Sequence, residues 1–167
     1  MVALLLATLV TSTMAKELDG FGAARLRMTA DAVKKAFPAL ESVGGLPPAE
    51  IAYYQLQNQK FVDLESCTLR FNFFRDQLYE IQFDCGRDEK VVRTLEHEFG
   101  QPTMRESYGT FWYWDGAVLG LSSGSKVFGL SDRGLSPAVQ QAVAAAAAAE
   151  KAAPTARSDG KGTGEAK

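Results

Sequence analysis

Histidine and cysteine are almost absent: the 167 residues include one histidine, His97, and two cysteines, Cys67 and Cys85. A His/Cys zinc site needs about four ligands, so this sequence nearly excludes one. Every familiar histidine-based nucleophilic triad would have to run through His97. An excess of one charge is also lacking, with 18 Lys plus Arg against 20 Asp plus Glu and a net charge of -2. That balance argues against a protein that tracks nucleic-acid phosphates by bulk charge. Phosphate-cradling loops are missing, because Gly20, Gly22, Gly44 and Gly45 lack the spacing of a strand-to-helix glycine turn. The one G-x-S-x-G match, Gly120-Leu121-Ser122-Ser123-Gly124, runs into a glycine-and-serine turn ahead of another strand rather than a strand-to-helix elbow, and H-E-x-x-H does not occur. Nothing in the sequence calls for a cofactor.

What is present is ordinary globular composition, 46% apolar and 23% charged, at a length that suits one domain. Residues 1–15, MVALLLATLVTSTMA, place an apolar run before the small residues Thr13 and Ala15. That small-x-small pattern reads as a cleaved signal peptide, although no Lys or Arg precedes the apolar core. A buried first element and a membrane tether are the competing readings. The run is too short to span a bilayer, so no transmembrane anchor is expected.

The other end is also separable. Ser136 and Pro137 supply a capping residue and a first-turn proline ahead of an alanine-rich helix over 136–153. Nine of the twelve residues in 142–153 are alanine, so propensity is high but little area is available for packing. Residues 154–167 are polar and glycine-rich and read as a disordered tail.

Between these ends, 16–135 reads as one α+β domain. Thr29 caps a helix carrying Val33 and Phe37, and Pro38 forces an exit. Residues 43–50 read as a connection, and two aromatic-rich stretches follow at 51–57 and 61–65. The clearest pattern is CTLRFNFF-RDQ-LYEIQFDC. Cys67, Leu69, Phe71 and Phe73 alternate with polar residues, as do Tyr79, Ile81, Phe83 and Cys85. This is a half-buried antiparallel hairpin with its turn centred on Asp76. Symmetric pairing about Asp76 sets Cys67 opposite Cys85 on the apolar face, close enough for a structural disulfide. Two buried free thiols are the alternative.

Asp88 opens a second helix with Val91, Leu95 and Phe99 on one stripe, stopped by Gly100 and Pro102. His97 points away from that stripe and reads as an exposed or boundary residue. TFWYW-DG-AVLGL is a further hairpin, and KVFGL a further strand. The expected architecture is a curved antiparallel sheet of about five to six strands, with two helices on one face and the Ala-rich helix added. Residues 29–83 and 88–130 form a faint repeat of helix plus hairpin, with no identity long enough to prove duplication.

The run Leu26-Arg27-Met28-Thr29, with Val33 beyond, resembles the G-M-[ST]-x-x-x-V helix opening of small bacterial envelope modules, with Arg27 in place of the glycine. Gly100-Gln101-Pro102 resembles the G-x-P that ends such a helix ahead of an aromatic strand. The comparison is to the BamE (SmpA/OmlA) module and to the repeat of β-lactamase inhibitor proteins. It covers 29–40 and 92–121. The resemblance implies an exported, non-enzymatic scaffold or binding protein, and carries over no functional residue.

Twenty acidic residues always permit carboxylate pairs, such as Asp63 with Glu65 or Glu80 with Asp84. Polar residues on the wet side of a sheet account for them better. The aromatic residues are more unusual. In FWYW, Phe111 and Tyr113 must face one way, and Trp112 and Trp114 the other; Tyr53 and Tyr54 split likewise. An exposed pair marks a binding surface, and Trp112, Trp114, Tyr53 and Tyr54 are the candidates, unless a helix or the N-terminal segment covers them. The function expected is therefore a non-catalytic periplasmic or secreted protein that binds an envelope protein or supports an envelope assembly, and no nucleic acid. A small-ligand carrier or small hydrolase of the envelope is the alternative.

Overall fold

The computed structural model describes residues 18–86 and 88–152, so the signal-peptide reading of 1–15 and the tail reading of 154–167 lie outside the described residues. The chain opens with a two-stranded ribbon, β1 (Gly20–Phe21) and β2 (Ala24–Arg25). Next come α1 (Ala30–Ala36), β3 (Glu41–Leu46), a 3-10 turn (Pro47–Ala49), β4 (Ile51–Phe61), β5 (Leu64–Phe74) and β6 (Gln77–Asp84). Then follow α2 (Asp88–Phe99), β7 (Met104–Glu106), β8 (Gly109–Tyr113), β9 (Ala117–Ser122), β10 (Val127–Asp132) and α3 (Ser136–Ala152).

The large sheet is antiparallel, in the order β3-β4-β5-β6-β10-β9-β8-β7. Each half of the chain is a helix followed by a four-stranded meander. The two last strands, β6 and β10, pair at the centre through Phe83↔Phe128 and Ile81↔Leu130. The α+β class holds, but the sheet has eight strands rather than five or six and stays open rather than curling on itself. Two of the extra strands come from weak signals. β3 overlaps, over 43–46, the glycine- and proline-rich stretch read as a connection, and it is an edge strand exposed on both sides. β7 is three residues long.

The stretch 61–65 is also not a strand of its own. Val62, at φ 53°, turns the chain between Phe61 and Leu64, so β4 and β5 form one long hairpin. The β5–β6 hairpin closes through Arg75 and Asp76, both with positive φ, the conformation that matches strand twist in a two-residue loop. The register runs Thr68↔Asp84 to Asn72↔Glu80, then slips to Phe73↔Leu78. This bulge corrects the side assigned to Tyr79. Leu78 joins the main core beside Ile81 and Phe83, while Tyr79 turns to the opposite face.

Two layers of packing result. On one face α1, through Val33, and α2, through Val91, Leu95 and Phe99, cover Leu69, Phe71, Phe83, Leu119 and Phe128. Phe83 stacks on Phe128 at 4.8 Å between ring centres. Thr29 caps α1 by accepting from the Ala32 N–H, and Asp76 Oδ1 accepts from the Ala30 N–H at 3.0 Å. The hairpin tip is thereby tied to the helix start. On the other face α3 packs Val139, Ala142 and Ala146 against Ala49, Ile51, Phe74 and Tyr53. Ser136 is the first residue of α3 and its hydroxyl donates to the Asp132 carbonyl, rather than capping the helix as the sequence suggested.

Cys67 and Cys85 are joined in a disulfide, with Cα atoms 4.1 Å apart. The bridge sits just beyond the Thr68↔Asp84 pair, at the end of the ladder where the alternation of the two strands pointed.

Candidate functional site

Because α3 covers only the part of its face formed around β4 and β5, the remainder, across β6, β10, β9 and β8, carries no helix among the described residues. Strand alternation decides which side chains stand there. Two rows cross the strands. One runs Arg70–Gln82–Gly129–Gly120–Phe111, each residue paired with the next. The adjacent row runs Asn72–Glu80–Ser131–Val118–Tyr113.

The two glycines in the first row leave a trough. It is a groove of about 280 Å³ lined on its floor by Gly120 and Gly129 and at its sides by Glu80, Phe111, Val118 and Val127. The Phe111 ring lies over Gly120, where an added Cβ would stand 3.1 Å from the ring. Glu80 leans over Gly129 in the same way, with Oε1 3.0 Å from an added Cβ. Glu80 is held there: Asn72 Nδ2 and Gln82 Nε2 donate to Oε2 at 2.7 and 3.2 Å, and Ser131 Oγ lies 3.5 Å from Oε1. Asn72 is 3% exposed, and its Oδ1 accepts no hydrogen bond. Beside this network, burial raises the Tyr79 phenol well above its ordinary range, and the charge of Glu80 and then Tyr53 add to the effect.

An aromatic ladder forms one rim. Phe111 lies between Tyr108, at 5.7 Å, and Tyr113, at 6.2 Å, and Arg133 sits 5.5 Å from the Tyr113 ring. Three large apolar side chains around the groove stand open to solvent: Tyr108 at 62%, Tyr113 at 38% and Val127 at 36%. Water-exposed aromatic and aliphatic groups gathered on one face are the usual mark of an interaction surface.

The residues named from sequence are dispersed. Trp112 is 2% exposed and donates from Nε1 to the Gly100 carbonyl at 2.9 Å, fastening β8 to the end of α2. Trp114 packs edge-on against Phe99 at 5.7 Å. Tyr54 meets Phe73 and Lys34 on the helix-covered face, and Tyr53 lies on the other, beside Arg70 and the α3 contact. These four make no common surface. The alternation of FWYW was right in kind, and the pair that faces outward is Phe111 and Tyr113. Tyr108, Glu80 and the two glycines became relevant only once β10 was placed between β6 and β9.

His97 is exposed on α2, in a shallow depression with Asp63, Lys90, Arg93 and Thr94. Among the described residues no group of three or more His, Cys, Asp or Glu is placed to hold a metal ion, and no helix is long and apolar enough to cross a membrane. Comparison of the chain with protein-family models, with curated proteins and with solved structures gives no match.

Proposed function

We propose that this chain is a non-catalytic protein-binding module of the periplasm or the secreted space, and that its partner docks on the uncovered part of the sheet. The observation that carries this reading is the exposure of Tyr108, Tyr113 and Val127 around a glycine-floored groove on one open face. Rigid aromatic side chains bury large areas at low entropic cost, which makes them efficient anchors. The Cys67–Cys85 bridge supports an oxidising compartment. A relationship to the BamE and β-lactamase-inhibitor modules belongs to the same proposal, supported by a helix-plus-meander unit that occurs twice.

The experiment compares the parent with a variant in which Tyr108, Tyr113 and Val127 are all serine. Both are immobilised and exposed to an extract of the envelope and culture fluid of the producing cells. A discrete protein retained by the parent and lost by the equally stable variant is the expected result. Equal retention by both would remove the face from the function.

A further inference from the structure

The groove is asymmetric in its chemistry, and that asymmetry selects what can enter it. Gly129 and Gly120 are directly paired on neighbouring strands. One carries the carboxylate of Glu80 over it and the other the ring of Phe111. A carboxylate and an aromatic ring therefore lean over neighbouring glycines whose backbones are one strand spacing, about 5 Å, apart. Among the described residues no cation pairs with Glu80, whose partners are the amides of Asn72 and Gln82 and the hydroxyl of Ser131. Two amides engage Oε2, and the only contact of Oε1 is the long one to Ser131, so Oε1 keeps acceptor capacity toward the groove.

We infer that the slot between Glu80 and Phe111 receives a basic side chain, an arginine or lysine, from the docking partner. Its support is charge complementarity combined with geometry. A guanidinium can lay its plane on an aromatic ring while its N–H groups reach a carboxylate, and an ammonium can approach both. The glycines let the ring and the carboxylate lie low over the sheet, and the amides already orient Glu80. The inference rests on the docking reading, and it specifies the partner's chemistry on that same face.

The test uses the full chain labelled with nitrogen-15, titrated with acetyl-Gly-Arg-Gly-amide at millimolar concentrations and followed by backbone amide shifts. The same tripeptide with citrulline, neutral and nearly isosteric, is the control. The arginine peptide is expected to shift the amides of Gly120, Gly129 and Ser131, and the citrulline peptide to leave them in place. Glu80→Gln keeps the side-chain size and is expected to weaken the arginine response about tenfold, as loss of a charge-assisted contact does. Should that variant fail to fold, Phe111→Leu removes the opposite wall and is expected to weaken the response as well.

Equal responses to both peptides, responses confined to other surfaces, or no response to either overturn the inference. Methylguanidinium alone, if it binds as well as the peptide, places a free cation in the slot and overturns the assignment to a partner side chain. A silent arginine peptide with continued partner capture by the parent sinks this inference and leaves the docking face standing. Equal capture by the parent and the serine variant sinks the face itself.

Discussion

Phe111 lies across Gly120, its direct partner on β9, at a distance that leaves no room for a β-carbon without moving the ring. Aromatic cover of a cross-strand glycine shields backbone that would otherwise be bare, and here it also builds one wall of the groove. Gly120→Val should therefore displace the ring and fill the trough. The expected outcome is loss of partner capture with a stability change within about 1 kcal/mol, since β-branching favours strands while the contact is crowded. Chemical denaturation and the capture assay, run on the same protein, check it.

The two aromatic pairs of β8 should separate stability from binding. Trp112→Ala removes a buried ring and the hydrogen bond to Gly100, and is expected to destabilise by about 3–5 kcal/mol. Tyr113→Ala removes an exposed ring and is expected to stay within about 0.5 kcal/mol of the parent while weakening capture. Opposite behaviour of the two variants would reverse the assignment of the faces.

The disulfide closes the hairpin at its open end. Replacing Cys67 and Cys85 together by serine should cost about 2–4 kcal/mol. The denaturation midpoint of the double variant, measured against the oxidised parent, checks this, and an unchanged midpoint would contradict it.

Asp132 ties the N-terminal segment to the start of α3. It accepts from Arg27 Nε at 2.6 Å and from the backbone N–H groups of Gly134 and Leu135 at 2.8 and 2.9 Å. Burial alone would raise its carboxyl, but Arg27 and the two backbone donors outweigh burial and hold it below the ordinary value of 3.8. A carboxyl depressed in the folded state stabilises above its unfolded value and loses that contribution as pH falls through its folded value. The parent should thus shed stability on acidification below the ordinary carboxylate range. Asp132→Ala should be less stable at neutral pH by roughly 1–3 kcal/mol, from the two lost backbone hydrogen bonds, and should show a flatter acid limb. Urea midpoints across that pH range check the sign.

The sequence was most legible where alternation and burial agree. The strands on either side of Asp76 alternate cleanly, so the register near Cys67 and Cys85 could be read in advance. The bulge at Leu78 and Tyr79 could not, because one extra residue between apolar neighbours leaves the composition unchanged. Arg75 and Asp76 adopt the positive-φ turn, while Asp115-Gly116, the more obvious turn dipeptide, does not. Edge strand β3 was invisible because an exposed strand needs no apolar face. The site was half legible. Parity in FWYW required one pair to face out, but choosing the pair needed the position of α2, which Trp112 caps through Gly100. Glu80 reads in sequence as one more wet-side polar residue. Its place opposite an aromatic ring follows from the pairing of β6 with β10, a contact far apart along the chain.

The central claim, that the uncovered part of the sheet is the docking face, is tested most directly by site-specific photocrosslinking in the producing cells. A benzophenone amino acid is placed singly at Tyr108, Tyr113 or Val127 on the open face, and at Lys35, His97 or Val143 elsewhere. The account predicts one discrete protein adduct from the first three positions and none from the other three. Adducts arising equally from all six, or only from the helical positions, would contradict it.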